Sequence, residues 1–172
     1  MEYHSPFGVL RLAGTEEGLL SLDLPLDRFT NVWPGAEPGS MPCLNEAKEW
    51  LDAYFDGERP GIETLSLCPK GNEFRQRVWE CLRRIPYGET VTYGELAKKA
   101  FPDRKMSAQA VGGAVGRNPI AIILPCHRVM GAKGALTGYS GGLDAKIWLL
   151  RHEGVDISTY HRPKLNAVSE KK

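Results

Sequence analysis

The sequence of 172 residues lacks the features that mark several broad classes of protein. No apolar run approaches the roughly 20 residues that a bilayer-spanning helix needs. The first six residues, MEYHSP, lack the basic and then apolar pattern of a signal peptide. The four cysteines form no CxxC pair, and a chain of this size does not need a disulfide framework to fold. These absences predict a soluble cytoplasmic protein with reduced thiols and no membrane partner, nucleoid-associated if the source is prokaryotic.

The chain also has almost no net charge, but the charges that cancel are unevenly placed. The total is +1 at pH 7, which would argue against a polyanionic partner if it were evenly spread. Residues 1–66 carry 4 basic and 12 acidic side chains, net −8, whereas residues 67–172 carry 18 and 9, net +9. The asymmetry fits a nucleic-acid-binding half joined to an acidic one, and equally two solvated surfaces of opposite sign. We predict two domains, 1–66 and 67–172.

The acidic half has the pattern of a small α+β domain. Apolar residues alternate on both sides of a turn signal at 14–18, which predicts a hairpin. After a loop rich in proline and glycine at 34–42, apolar residues at helical spacing predict a helix over Leu44–Phe55 that Gly57 ends. Ile62–Leu67 is predicted as a last strand. The expected fold class is α/β of the α+β kind, with a three-stranded sheet plus a helix followed by a mainly helical domain.

The basic half contains short helices with clear start signals. Asn72 is predicted to cap a first helix. Thr92 and Glu95 fit a capping box at the start of a second helix. Ser107 is predicted to cap a third, Ala108–Gly116. Two short helices joined by a tight connection predict a helix-turn-helix.

The third predicted helix consists mostly of small residues. Each interior glycine costs about 1 kcal/mol relative to alanine, so some close contact should offset the cost. Either a nucleic-acid backbone or a neighbouring helix must approach closely. Gly112 and Gly113 do not form a phosphate-binding loop, because no Lys-Ser/Thr pair follows and no GxGxxG spacing exists. Nucleotide binding is therefore excluded.

A candidate chemical centre follows an apolar run. Ile120–Leu124 is predicted as a buried strand that leads to Cys126. His127 and Arg128 beside this cysteine favour a reactive thiolate. Neighbouring side chains on a strand point to opposite faces, so Cys126 and His127 meet only if the chain turns, which Pro125 favours. Spacing alone leaves open a catalytic and a buried structural cysteine, and one Cys-His step cannot supply a tetrahedral zinc site.

The segment from about 74 to 154 resembles the O6-alkylguanine-DNA alkyltransferases. The resemblance rests on PCHRV at 125–129, GGA at 112–114, RNP at 117–119 and GYSGGL at 138–143, followed by Lys146, WLL at 148–150 and HEG at 152–154. SPFG at 5–8 and the hairpin after it match the family more loosely. The resemblance implies a ribonuclease H-like N-terminal domain and an active-site strand in the second domain.

The resemblance also implies direct reversal of DNA damage. The protein would be a monomer that binds double-stranded DNA containing O6-alkylguanine through the minor groove with its helix-turn-helix. It would flip the lesion out and transfer the alkyl group irreversibly to its own cysteine, once per molecule, with no cofactor. O4-alkylthymine is a second candidate substrate. The zinc-ligand set of some relatives has no counterpart in residues 1–66, so no metal is expected.

Carried over residue by residue, the resemblance assigns a catalytic group. Cys126 would be the nucleophile. His127 would act through a water as its base, and Glu153 would orient that histidine. Asn118 would brace the turn between the recognition helix and the active-site strand.

The resemblance assigns a second group to the substrate. Tyr93 would serve the 3′ phosphate side of the flipped nucleotide and the guanine edge. Tyr139 and Ser140 would line the pocket, and the carbonyls of Cys126 and Val129 would read the guanine amino group. The remaining DNA-contacting positions are Ala108, Gly112, Arg117 and Arg128.

Two positions in the basic half, Arg128 and Gln109, have more than one role or differ from the family pattern. Arg128 either binds a DNA phosphate or forms an ion pair with the acidic half, and we predict the ion pair. At Gln109 the family usually has an arginine that inserts in place of the flipped base. Glutamine can fill that space and hydrogen-bond the orphaned cytosine, but its lack of charge predicts weaker flipping or affinity.

Two alternative functions remain at this point. One is a non-catalytic protein that binds alkylated bases and signals to other repair factors; relatives of that kind lack the motif cysteine, so Cys126 argues against it. The other is a Cys-His hydrolase, and the sequence shows no GxSxG-type elbow to support one.

Overall fold

A three-stranded antiparallel sheet with one helix packed on it forms the N-terminal part of the computed structural model, which describes residues 1–26 and 41–162. The strands β1 (Glu2–Ser5), β2 (Gly8–Thr15) and β3 (Gly18–Asp23) pair in chain order. The helix α1 (Pro42–Phe55) begins with a proline in its first turn, where a missing N–H costs nothing. The predicted sheet-plus-helix domain and its helix are confirmed. Most of the predicted loop at 34–42 lies outside the described residues.

The predicted strand at Ile62–Leu67 is wrong. Residues 62–64 form a single 3-10 turn, and the Thr64 hydroxyl donates to the Gly61 carbonyl at 2.9 Å, so local bonds compete with a sheet ladder. The segment pairs with β3 at an isolated parallel bridge between Leu19 and Leu67. Gly18 permits this approach, since a Cβ there would lie 2.5 Å from the Ser66 carbonyl oxygen. The third strand of the N-terminal sheet is therefore β1, not this segment.

Three helix caps predicted in the basic half are confirmed. Asn72 accepts from the Arg75 N–H at the start of α2 (Glu73–Arg83). After the two-residue strand β4 (Val91–Thr92), the capping box of Thr92 and Glu95 starts α3 (Tyr93–Ala100). Ser107 accepts from the Ala110 N–H at the start of α4 (Ala108–Val115). These three helices pack on one another around a buried apolar set, Val78, Trp79, Leu82, Leu96 and Val111.

The apolar run Ile120–Leu124 is fully buried, as predicted, but it is not a strand. Its backbone turns at Ile122, where φ is 68°, and the Leu124 N–H donates to the Ile120 carbonyl at 3.0 Å. The Asn118 side chain holds both ends of this turn: its Nδ2 donates to the Leu124 carbonyl at 2.7 Å and its Oδ1 accepts from the Ile120 N–H at 3.0 Å. Local side-chain bonds therefore prevail over the β propensity of the run.

Strand β3 of the N-terminal sheet supports this turn directly. The Leu22 N–H donates to the Pro119 carbonyl at 2.8 Å, and the Ala121 N–H donates to the Leu22 carbonyl at 3.1 Å. The acidic half is thus hydrogen-bonded to the segment that leads into Cys126.

The chain then turns after Pro125, as that proline favours, and forms a 3-10 turn over Cys126–Arg128. The short strand β5 (Val129–Met130) follows the cysteine and pairs in parallel with β4. The last helix, α5 (Leu143–His152), packs against the 3-10 turn. Among the described residues, no helix has the length and apolar character to cross a membrane.

Candidate active site

A surface pocket of about 580 Å³ opens between α4 and the loop that follows β5. Cys126 lies in its wall with 5% of its surface exposed. Among the residues predicted for the site, the pocket brings together seven: Tyr93, Ala108, Gln109, Gly112, Cys126, Tyr139 and Ser140. Sequence reasoning missed Thr137 as a lining residue. The pocket therefore brings helix α4 together with the only cysteine that opens into it among the described residues.

Packing within the described part of the chain does not require the glycines of α4. A Cβ on Gly112 would lie 3.6 Å from the Tyr93 ring, an ordinary contact. A Cβ on Gly113 would meet no atom within 4 Å among the described residues. Of the two explanations for the small residues, tight packing of a neighbouring helix is therefore not the one that these two positions support.

The two residues that follow Cys126 in the chain belong to a buried network centred on Glu153. His127 Nε2 is 2.6 Å from Glu153 Oε1, and both side chains are fully buried. Arg128 donates to both oxygens of Glu153, from Nε at 2.8 Å and from Nη2 at 2.9 Å. The Gly88 N–H donates to Oε2 at 3.1 Å, and the Tyr54 hydroxyl donates to Oε1 at 2.8 Å. Five donors hold one carboxylate.

The pKa shifts in the network follow from this bonding. Burial would raise the pKa of Glu153, but the hydrogen bonds and charges of His127 and Arg128 outweigh it and hold that pKa well below its usual range. Burial lowers the pKa of His127, against the attraction of Glu153. At neutral pH the carboxylate is therefore ionised and the imidazole neutral, with its proton on Nε2 facing Glu153.

The other imidazole nitrogen is left available. His127 Nδ1 is buried and has no hydrogen-bond partner among the described residues. A deprotonated Nδ1 is an acceptor, so it can take a proton from a neighbouring thiol directly or through a water.

The predicted ion pair between Arg128 and the acidic half is wrong. Only 8% of its surface is exposed, and its guanidinium is bonded to Glu153 and to the Ile85 carbonyl, both in residues 67–172. A buried carboxylate needs a compensating cation, and the 3-10 turn directs Arg128 inward to supply it. Arg117, by contrast, is exposed beyond the end of α4.

Lys146 is a site residue to which the sequence assigned no role. It is fully buried, and its ammonium group donates to the carbonyls of Val129 at 2.6 Å and Thr137 at 3.1 Å. Burial lowers the pKa of Lys146 to about 8. Its spacing of three and four residues from Leu149 and Leu150 was the signal that it faces the core. Lys146 fixes the strand and loop that border the pocket.

Two further observations bear on the chemistry of the pocket. Burial raises the pKa of Tyr93, so its hydroxyl remains a donor at neutral pH. Within residues 1–26 and 41–162, no three His, Cys, Asp or Glu side chains cluster so that they could hold a metal ion.

Comparison with known protein families finds matches over both halves of the chain. The family model described as "6-O-methylguanine DNA methyltransferase, ribonuclease-like domain" matches residues 2–68. The model described as "6-O-methylguanine DNA methyltransferase, DNA binding domain" matches residues 73–155.

Individual relatives agree with the family models. A methylated-DNA–protein-cysteine methyltransferase of Methanosarcina acetivorans is 46% identical over 152 residues, 88% of this chain and 96% of that protein. One of Haemophilus influenzae is 38% identical over 153 residues, 89% of this chain and 84% of that protein. The crystal structure of Mycobacterium tuberculosis OGT in complex with DNA superposes with a TM-score of 0.80 at 42% identity, covering 89% of this chain and 91% of that one.

Proposed function

This chain belongs to the 6-O-methylguanine DNA methyltransferase family, and we propose that its pocket receives an O6-alkylated guanine and passes the alkyl group to Cys126. Membership makes it a DNA alkyltransferase that acts in repair. The observation that carries the finer proposal is the position of Cys126, in the wall of the pocket and directly before His127 in the chain, whose imidazole is bonded to Glu153.

The transfer begins with loss of the thiol proton. A free thiol has a pKa of about 8.5, so only a few per cent is ionised at neutral pH and a base is needed. His127 Nδ1 takes the proton from Cys126 through a water, while Glu153 stabilises the imidazolium that forms. The thiolate then attacks the alkyl carbon, a C–S bond forms and the C–O6 bond breaks. The product is a thioether, which is not hydrolysed, so each molecule acts once.

The departing guanine requires donors as charge develops on it. The Tyr93 hydroxyl supplies a proton or hydrogen bond on the guanine edge, and the Ser140 amide faces O6. The carbonyls of Cys126 and Val129 accept from the guanine amino group. Lys146 already occupies one lone pair of the Val129 carbonyl, which leaves the second for the base.

Helix α4 is the element that enters the minor groove. Its glycines are not needed for packing against the residues that the structure describes, so the backbone of DNA is the close neighbour that they admit. Basic charge in residues 67–172 attracts the phosphates, and Arg117 is exposed beside the helix. Flipping the base costs a few kcal/mol, which these contacts must offset. The protein acts as a monomer, and residues 1–66 and 67–172 are its two domains.

Replacing Gln109 with arginine is expected to strengthen binding to a duplex that contains O6-methylguanine. Gln109 is exposed in the first turn of α4 and lines the pocket. A guanidinium there adds a cation next to the DNA and fills the gap left by the base, so Kd should fall roughly threefold to tenfold, an energy of about 1 kcal/mol. Fluorescence anisotropy at two salt concentrations measures this change.

Gln76→Arg is the control for the added charge, because Gln76 is exposed on α2 and lines a different surface. It should tighten binding less than Gln109→Arg does. Equal Kd values for wild type and Gln109→Arg would contradict the assignment of this position to the DNA interface.

The proposed function is tested by incubating the protein with a duplex that contains O6-methylguanine and mapping the adduct by peptide mass spectrometry. We expect one methyl group on the peptide of Cys126 and repaired guanine equal in amount to the protein. Binding without a mass change would indicate a non-catalytic lesion-binding protein, and product in excess of protein would indicate turnover by a hydrolase. An O4-methylthymine duplex in the same assay tests the second substrate.

A further inference from the structure

We propose that Tyr54, on helix α1 of the acidic half, is a positioning residue for alkyl transfer that acts through Glu153 on His127. The Tyr54 hydroxyl donates to Glu153 Oε1 at 2.8 Å, and His127 Nε2 bonds that same oxygen at 2.6 Å. Tyrosine and histidine therefore share one acceptor atom. This role rests on the proposed function of Cys126 as alkyl acceptor.

The surroundings of Tyr54 fix its hydroxyl in place. The side chain is fully buried. Its ring stacks on Trp50 at 5.3 Å between centroids and contacts the His152 ring at 5.1 Å and the Tyr87 ring at 6.0 Å. His152 also bonds the Tyr54 backbone carbonyl, at 2.6 Å from Nε2. These contacts fix the ring and the backbone of Tyr54, so that its hydroxyl is directed at Glu153 Oε1.

The Tyr54 hydroxyl stays protonated at neutral pH and therefore remains a hydrogen-bond donor. Burial and the neighbouring charge of Glu153 raise the pKa of Tyr54 far above its usual range. Tyr54 therefore supplies hydrogen-bond donation without a charge, which Arg128 cannot do.

Because Tyr54 and His127 bond the same oxygen, Glu153 Oε1, the hydrogen bond from Tyr54 affects the protonation of His127. A carboxylate oxygen that accepts an extra hydrogen bond is less basic, and it attracts a second proton at His127 less strongly. The bond from Tyr54 thus favours neutral His127, the form whose Nδ1 can accept the thiol proton. It also keeps Oε1 in the position that selects the Nε2–H tautomer.

Other groups face this pair, and a substitution at Tyr54 leaves all of them in place. Arg128 and Lys146 lower the proton affinity of His127, whereas Glu153 raises it. The titratable and charged groups around the pair come from the segment after α1, the 86–88 turn, the 3-10 turn and α5: Arg59, Tyr87, Cys126, Arg128, Lys146 and His152.

Tyr54→Phe removes one oxygen and keeps every ring contact, so it isolates the hydrogen bond. The matched control is Tyr3→Phe, since the Tyr3 hydroxyl donates to a carboxylate on the same helix, Asp52 Oδ1 at 2.9 Å, away from the pocket. Without Tyr54's bond we expect the pKa of His127 to rise, so that less neutral base is present at low pH. The rate constant for methyl transfer should fall about fivefold at pH 6 and less than about twofold at pH 8.5.

Tyr3→Phe should leave the transfer rate unchanged at both pH values, although it loses a comparable hydrogen bond. Nitrogen-15 NMR of the histidine side chains adds a measurement that needs no DNA, and the titration of His127 should move to higher pH in Tyr54→Phe alone. Equal rates for wild type and Tyr54→Phe, a loss that is the same at both pH values, or an unmoved His127 titration would each overturn the role of Tyr54. A wild-type protein that transfers no methyl group would overturn the proposed function instead.

Discussion

Glu153→Gln is expected to slow methyl transfer by about 10²-fold or more and to lower the free energy of unfolding by about 3–5 kcal/mol. The amide has one acceptor oxygen, whereas five donors converge on the two carboxylate oxygens of Glu153. Arg128 would keep its charge in a buried position without a counterion, and an NH2 group would face either the guanidinium or the His127 N–H. The tautomer with a free Nδ1 is then no longer favoured.

The pH dependence of this loss has a definite sign. The pKa of Glu153 is depressed in the folded state, so its stabilising contribution is complete above the carboxyl pKa of the unfolded chain, about 4. It disappears only as the pH falls through the much lower folded value. Wild type should therefore remain more stable than Glu153→Gln at pH 5, and the part of the difference that Glu153 contributes should shrink only in stronger acid.

Urea unfolding and single-turnover transfer assays measure the two effects. Glu80→Gln is the control, because Glu80 pairs with Arg84 at 3.2 Å on the exposed surface of α2. Such a pair contributes about 0–1 kcal/mol, and its loss should not alter transfer. If Glu153→Gln were as mild as Glu80→Gln in both assays, the buried network would not have the importance that its geometry indicates.

The parts of the fold that sequence predicted are those that local chemistry decides. Asn72, Thr92 and Ser107 each accept a backbone N–H three residues ahead, and a bond of that range can be read from a few neighbouring residues. A turn after Pro125 was favoured by the proline itself, and the chain does turn over Cys126–Arg128. These features owe little to distant parts of the chain.

The two predicted strands are wrong because side-chain hydrogen bonds, which an apolar pattern does not reveal, decide the local backbone. Ile62–Leu67 and Ile120–Leu124 have apolar residues suited to a sheet, but the hydroxyl of Thr64 and the amide of Asn118 close turns in them. Burial of the second run was predicted correctly because burial follows from composition. The path of the backbone in a short buried run does not follow from composition.

The residues of the site also fall into two groups: those that a short motif reveals, and those that only the fold brings to the site. Cys126 and His127 are adjacent in sequence, so their candidacy could be read from the motif, whereas Glu153 entered only through the family resemblance. Arg128 was given the wrong partner because the charge count favoured the acidic half and could not reveal a carboxylate 25 positions away. Tyr54 lies 99 positions from Glu153, and only the fold brings α1 to the network.

Cys126→Ser is expected to abolish methyl transfer, with a rate at least about 10³-fold below that of wild type. A serine hydroxyl ionises far less readily than a thiol, so a neutral histidine cannot generate the oxyanion in useful amount. The side chain is nearly the same size, and the pocket walls formed by Tyr93, Tyr139 and Ser140 are untouched. The variant should therefore bind an O6-methylguanine duplex with a Kd close to that of wild type.

The matched control for Cys126→Ser is Cys81→Ser, because Cys81 is a half-buried thiol on α2 whose pKa burial raises. Each serine costs about 1–2 kcal/mol of stability at most, since a hydroxyl replaces a weaker hydrogen-bonding group in a partly apolar site. Only Cys126→Ser should lose transfer. Methyl transfer by Cys126→Ser, or a methyl group on Cys81 of the wild type, would show that the acceptor lies elsewhere. Retained binding with lost transfer would separate lesion recognition by the pocket from the chemistry of one sulfur atom.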